Sequence, residues 1–526
     1  MIKFVKRYLD TDSFKIALTF ALLHFLLFNS ASFIVKFTYI KPTIITACLE
    51  LVKDFIYNMI ILCLLFYGLM LHRFLFVTCS LFIFSVSAGA AYYLLLFGIT
   101  PSVAMIGSVF STNFNEANEL ISIQLALWVT CALALCLYAM IKAKTLQARS
   151  MFGRLLSLIC LLVAVENIIT PHFGFLRTSL PVQYLHNSYI YWLGDTKTYP
   201  RVEINSKFNF KDLAEEEIIG VLVIGESARY DHFGINGYHR DTTPYLAKMS
   251  EEIVSYKAES CGNATHISVP CMLSRYKKQE KHLVDTETSL CGALTKLGFE
   301  TVLVGSQSIT KYYRNRKIGS FYDDLSFYLI PGGSMLMTHH SYDENLLPYF
   351  EQNLNKPGKK FLILHTNGSH WHYSKRYRPE FDKFKPSMSP DARQDAFNSD
   401  RTEFVNSYDN SILYTDFILS QIIELLKNKN AFLIYSSDHG ESLGDEGRLG
   451  HGHDKEYPEQ IQVPFLVWFS DQYKATHMDE WNYIKSKSAE EISHDYIFHT
   501  ILDCLHIESD AVEKELSLCA APKNKK

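Results

Sequence analysis

The stretch Ile218-Ile-Gly-Val-Leu-Val-Ile-Gly-Glu226 sets an unbroken apolar run directly before a carboxylate. The run is rich in β-branched residues and does not alternate with polar ones. It therefore reads as a strand buried on both faces, the kind found in a mainly parallel sheet covered by helices. Similar runs recur at Thr301 to Val304, Phe361 to Leu364, Ala431 to Tyr435 and Pro464 to Phe469, separated by longer helical segments such as Asp409 to Lys427. This alternation predicts an α/β domain with a mainly parallel central sheet over 216–526. Ligands of open α/β sheets gather beyond the carboxyl ends of the strands. Glu226 follows the first run, His365 and His370 the third, and Asp438 and His439 the fourth, so residues far apart in the chain are expected at one edge.

Upstream of residue 170 the chain has a different character. Ile16 to Val35 is 20 residues without Asp, Glu, Lys or Arg, Phe55 to Leu71 is 17, Phe74 to Phe97 is 24 and Leu120 to Ile141 is 22. About 20 apolar residues span the hydrocarbon layer as a helix. Leu155 to Ile169 is a weaker fifth candidate, since Glu166 lies within it. A transmembrane domain of five helices is expected over 1–170. Lys3, Lys6, Arg7, Lys15, Arg73, Lys142, Lys144, Arg149 and Arg154 fall on one side of these spans, which the positive-inside rule makes the cytoplasm. With five crossings the N-terminus is cytoplasmic and everything after residue 170 lies outside. The first span is too long for a signal-peptide core and reads as an uncleaved anchor. Residues 171–215, with Pro171, Pro181 and Pro200 among aromatic residues, read as a juxtamembrane connector.

Composition agrees with a chain part lipid-embedded and part soluble, at 48% hydrophobic and 20% charged residues. A net charge of -4 leaves no excess of cations for nucleic-acid phosphates. Six of the eleven cysteines lie in or beside the apolar spans. Of the other five, Cys261 and Cys271 are close enough to bridge a short loop in an oxidising compartment, and one of the five must stay unpaired within the chain.

Taken singly, the polar residues at the strand ends have ordinary readings. Asp-His-Gly is a common turn, and Thr265 is a common helix cap. Together, Glu226, Asp438 and His439 supply two carboxylates and an imidazole, a set suited to zinc with a position left open. His370, His451 and His453 add imidazoles that could serve a second metal or hold a substrate phosphate. The open position suits a nucleophile. Thr265, within Ser260-Cys-Gly-Asn-Ala-Thr-His-Ile-Ser-Val-Pro-Cys271, is the candidate and Ser268 its competitor. A divalent cation lowers the pKa of a hydroxyl it binds. Backbone amides at the start of a helix there would face an incoming phosphate.

Val221 to Pro244, Cys261 to Cys271, Tyr342-Asp-Glu-Asn-Leu-Leu347, Tyr408-Asp-Asn-Ser-Ile-Leu413 and Ser437-Asp-His-Gly-Glu-Ser-Leu-Gly444 resemble, in order, the signature blocks of the bacterial phosphoethanolamine transferases. That family lies within the alkaline phosphatase and sulfatase superfamily. It includes lipid A modifiers and colistin-resistance enzymes built on a five-helix anchor. The resemblance implies a zinc site of Glu226, Thr265, Asp438 and His439, with Thr265 the residue that receives the phosphoethanolamine group. It implies that His370 and His451 act on the substrate side, although Trp371 and His372 replace the family's Gly-Pro. Ser308 and Lys311 align with donor-phosphate contacts. Ser108 and Glu116, in the loop before the fourth span, align with a head-group asparagine and glutamate, Ser108 standing where the family has asparagine.

The resemblance further implies phosphatidylethanolamine as donor, an envelope glycolipid or glycan such as lipid A or lipopolysaccharide core as acceptor, and a monomer in the bacterial inner membrane. Two other classes stay open on the residues alone. One is a phosphoglycerol transferase or phosphodiesterase on the same scaffold, and the other a non-catalytic zinc or glycolipid binder. Val269-Pro-Cys-Met-Leu-Ser-Arg275 does not supply the Cys-x-Pro-x-Arg signature of a formylglycine sulfatase.

Overall fold

The structure is a computed structural model, and it describes residues 11–30, 44–111, 120–148, 150–171, 179–196, 202–305, 326–329, 342–390 and 400–520. The chain divides into two compact units. Their main parts are Met1–Gly107 with Ile121–Thr196, and Lys197–Asp445 with Gly450–Lys526.

The first unit is helical. Helix α1 (Thr11–His24) continues through a π-helical turn, Phe25–Asn29. It is followed by α2 (Ile44–Leu69), α3 (Arg73–Phe97), α4 (Ile123–Lys142) and α5 (Met151–Ile169). Five helices among the described residues are long and apolar enough to cross a membrane. The weak fifth span reaches sufficient length because the Ser150 hydroxyl accepts from the Gly153 amide at 2.9 Å, which starts α5 ahead of Arg154. Phe20, Phe28, Phe66, Phe76 and Phe84 fill the interior. Gly68 lets α2 and α5 touch backbone to backbone, since a Cβ there would meet the Leu161 Cα at 2.7 Å. The stretch expected as a connector contributes α6 (Val182–Thr196) to this unit. Asn29 fixes the entry to α6, donating to the Leu180 carbonyl and accepting from the Leu180 amide, both at 2.8 Å.

The second unit is an α/β domain. Strand β1 (Phe210–Asp212) precedes β2 (Ile219–Gly225), β3 (Ile253–Glu259), β4 (Glu300–Gly305), β5 (Ser326–Leu329), β6 (Lys360–His365), β7 (Ala431–Ser437), β8 (Gln462–Phe469), β9 (Ile492–Ser493) and β10 (Ile507–Ser509). Eight of them form one sheet in the order β9-β3-β8-β7-β2-β6-β4-β5. Only β8 runs against its neighbours β3 and β7; every other pairing in that sheet is parallel. All seven residues of β2 are buried, and β6 and β7 are buried throughout, as continuous apolar strands require. β1 and β10 form a separate antiparallel pair. Two disulfides, Cys261–Cys271 and Cys504–Cys519, tie the unit locally, and Cys291 is buried outside both.

Candidate active site

Three strand ends and one helix start build the site. β2 delivers Glu226 and its neighbour β7 delivers Asp438 and His439, all three fully buried. Their ligand atoms lie within 4.8 Å of one another. Ser227 adopts a left-handed φ of 57° just past Glu226, a conformation that costs a non-glycine residue free energy and needs support. Tyr408 provides it, donating its hydroxyl to the Ser227 carbonyl at 2.7 Å and accepting the Arg229 amide at 2.8 Å. Gly368, at φ 46°, lets the loop after β6 close over Glu226; a Cβ there would lie 2.8 Å from the Glu226 carbonyl oxygen.

Asp438 and His439 are each fixed on one side by backbone groups. Asp438 Oδ1 accepts from the amides of Ser227 at 3.2 Å and His439 at 2.7 Å, while Oδ2 is buried with no hydrogen-bond partner among the described residues. His439 Nδ1 donates to the Gly440 carbonyl at 2.8 Å, which leaves Nε2 to face Glu226 at 3.3 Å and Asp438 at 3.5 Å. Burial and the Glu226 charge push Asp438 up to about 7. For His439, burial opposes charge, but Asp438 and Glu226 raise its pKa to about 10. Glu226, also opposed by burial, is drawn well below the usual carboxylate range by His439. Two buried carboxylates with an unpartnered oxygen and one oriented imidazole fit a divalent cation such as zinc.

Thr265 completes the group. It is the first residue of α7 (Thr265–Met272), half-buried, with Oγ1 3.2 Å from Glu226 Oε2 and 3.3 Å from His439 Nε2. Beside it stand two half-buried histidines. His451 bonds through Nδ1 to Glu441 Oε2 at 2.7 Å, and its ring lies 4.2 Å from that of His439. The His370 ring lies 6.4 Å from His451, with Nδ1 2.6 Å from the Trp371 carbonyl.

Residues 219–507 match the family profile described as Sulfatase, and residues 59–179 the one described as phosphoethanolamine transferase EptA/EptB. The chain belongs to the sulfatase family, among its phosphoethanolamine transferases. This transferase is 28% identical over 493 residues to the Kdo(2)-lipid A phosphoethanolamine 7''-transferase of Escherichia coli, covering 84% of each chain. It superposes at TM-score 0.82 and 25% identity on the integral membrane lipooligosaccharide phosphoethanolamine transferase A of Neisseria meningitidis, covering 97% of this chain and 99% of that one. The C-terminal periplasmic domain of EptC from Escherichia coli, in complex with zinc, aligns at TM-score 0.53 and 26% identity over 62% of this chain and 92% of that one.

The transferase gathers Glu226, Thr265, Asp438, His439, His370 and His451 at one sheet edge. His453 is buried beside them, with Nδ1 2.6 Å from Gln460 Nε2 and its carbonyl accepting from Asn263. Ser108 is half-buried in the helix Val103–Ser111, and Glu116, Ser308 and Lys311 lie outside the described residues. Sequence reading passed over Glu441. Its Oε1 accepts the Tyr373 hydroxyl at 2.8 Å while Oε2 orients His451, and with His439 and His451 it forms a second group of potential metal-ligand atoms within 4.8 Å. Its position inside Ser437 to Gly444 was the available signal.

Proposed function

We propose that this transferase moves phosphoethanolamine from phosphatidylethanolamine to a phosphate or hydroxyl of an envelope glycolipid, lipid A or lipopolysaccharide core, by two displacements at Thr265. The observation that carries the reading is the placement of Thr265 Oγ1 at 3.2–3.3 Å from two members of a buried Glu226, Asp438 and His439 cluster. These residues and Thr265 would hold zinc, which supplies Lewis acidity toward the hydroxyl and the phosphoryl oxygens. In the first displacement Thr265 Oγ1 attacks phosphorus and gives up its proton, and the bond to the diacylglycerol oxygen breaks, that oxygen taking up a proton in turn. In the second an acceptor oxygen attacks the same phosphorus and gives up its proton, while the bond to Thr265 Oγ1 breaks and that oxygen is protonated again. Glu226 Oε2 receives the Thr265 hydroxyl hydrogen bond and orients the oxygen for attack. His451, aimed by Glu441, is placed to exchange protons through Nε2, and His370 stands beside it for the same work on the other oxygen. We assign the catalytic domain to 216–526 and to the periplasm, with the N-terminus in the cytoplasm, on the distribution of Lys and Arg around the five spans.

Release of labelled head group from phosphatidylethanolamine by the full-length protein tests this. Wild type should release diacylglycerol and carry a phosphoethanolamine mass increment on Thr265, and Thr265→Ala should lose at least about 1,000-fold in rate. Undiminished turnover by Thr265→Ala, or transfer of glycerol phosphate in place of phosphoethanolamine, would overturn it. Mass spectrometry of envelope glycolipids with and without the protein identifies the acceptor.

A further inference from the structure

Behind the ligand cluster lies a buried imidazole that the displacement chemistry does not use. His494 follows β9, whose parallel register with β3 sets Ser493 opposite Glu259. The His494 amide donates to the Glu259 carbonyl at 3.0 Å, so the backbone holds the ring beside the turn at Ser260 and Cys261. The side chain is 1% exposed.

The hydrogen bonds assign its protons. Nε2 lies 3.0 Å from the Ser437 carbonyl oxygen, which can only accept, so Nε2 carries the hydrogen and Nδ1 is an acceptor. Ser436 Oγ is also 3.2 Å from Nε2. Nδ1 faces Ser268 Oγ at 3.2 Å and the Cys261 amide at 3.4 Å. The hydroxyls of Ser260 and Ser268 both lie 2.5 Å from the Asp438 carbonyl oxygen. The Ser268 hydrogen goes to that carbonyl, so Nδ1 accepts from the Cys261 amide while the Ser268 oxygen packs against it. Burial keeps the ring neutral, its pKa lowered to about 3.

We propose that His494 is a positioning residue for the transfer, holding the segment that carries Thr265, through the Cys261 amide and its contact with Ser268, against the strand end that carries Asp438 and His439, through Ser437. This rests on the reading of Thr265 as nucleophile. Ser268 is three residues beyond Thr265 and so lies on the same side of α7, one turn along. The Cys261–Cys271 disulfide closes the nucleophile segment on itself but does not join it to β7. Ser260 and Ser268 reach the Asp438 carbonyl directly, and the imidazole backs that joint by linking the Cys261 amide to Ser437; a displacement near 1 Å at a reacting centre can cost about 100-fold.

The test uses the full-length protein in lipid nanodiscs, with kcat and KM for phosphatidylethanolamine, zinc per chain and thermal midpoint measured for His494→Ala, His494→Gln and Ser268→Ala beside Thr265→Ala. His494→Ala and Ser268→Ala are expected to lower kcat about 10- to 100-fold, at constant zinc content and with KM changed less than about twofold. His494→Gln, whose amide can donate to Ser437, should regain part of the loss. Wild-type kcat in both alanine variants, with Thr265→Ala inactive, overturns the inference alone. So does a loss that vanishes when rates are expressed per folded, zinc-loaded chain. Should His494→Ala fail to fold, Ser268→Ala and His494→Gln decide by the same criteria. Turnover by Thr265→Ala overturns the nucleophile reading itself.

Discussion

Glu441 determines which way His451 faces. Both of its carboxylate oxygens are committed, one to the His451 ring and one to the Tyr373 hydroxyl. Glu441→Gln offers one acceptor and one donor where two acceptors are needed. In the head-group assay kcat should fall about 10- to 100-fold with KM little changed, as for other carboxylates that orient site histidines. A second expectation follows from Asp438 Oδ2, buried and without a hydrogen-bond partner among the described residues. Chelator treatment should abolish turnover and lower the thermal midpoint, and zinc should restore both. Ligand at 1,000 times its Kd stabilises by about 4 kcal/mol. At this scale the strand-end placing of Glu226, Asp438 and His439 was legible, because each stands within four residues of the end of a continuous apolar run. Glu441 was not, since its partner His451 is brought to it only by the fold of the intervening chain. The same is true of His494, whose partners Ser268 and Ser437 come from two other segments.

Elements were read best where burial is two-sided. β2, β4, β6, β7 and β8 stand where unbroken apolar runs placed them, and the segment Asp409 to Lys427 falls on the C-terminal two-thirds of α8 (Arg401–Leu426), with Lys427 its C-cap. β3 escaped because it alternates: Val254, Tyr256 and Ala258 are buried while Ser255 and Lys257 are half-exposed and Glu259 exposed. β5 and β9 are too short, at four and two residues, to carry a pattern. One ion group governs how the chain enters the sheet domain. Glu287, 4% exposed, bonds to Arg275 at 2.6 and 2.9 Å and pairs with Lys207, next to a bridge between Val202 and Glu287. Burial raises its pKa, but Arg275 and Lys207 outweigh that and hold it below the usual carboxylate value of 4.5. A depressed carboxylate contributes stability above its unfolded pKa and loses it as pH falls through the folded one. Glu287→Gln should therefore lower the thermal midpoint at pH 7, by the equivalent of about 3 kcal/mol for a broken buried pair. The gap between variant and wild type should shrink below pH 4.5, and thermal melts across that range check it.

At the scale of the molecule, the split into a helical unit and an α/β unit was plain from the change in apolar run length near residue 170. The membership of α6 in the helical unit was not. It rests on polar contacts such as that of Asn29 with the Leu180 backbone and on a few scattered apolar residues, Val182 and Tyr184 among them, too sparse to stand out as a span. Disulfides give the domain-scale prediction. Joining Cys261 to Cys271 closes a short loop around the nucleophile, so Cys261→Ser with Cys271→Ser should cost about 2–3 kcal/mol and make the thermal midpoint of the remaining protein less sensitive to reductant. The place of β8 has a further consequence. Among the described residues, this strand, Gln462–Phe469, is what links β3, which leads to Thr265, to β7, which leads to Asp438 and His439, within the sheet. The two halves of the site therefore share one sheet edge by way of a strand that itself carries none of the site residues, and a substitution that unpairs residues 462–469 should loosen the site without touching it.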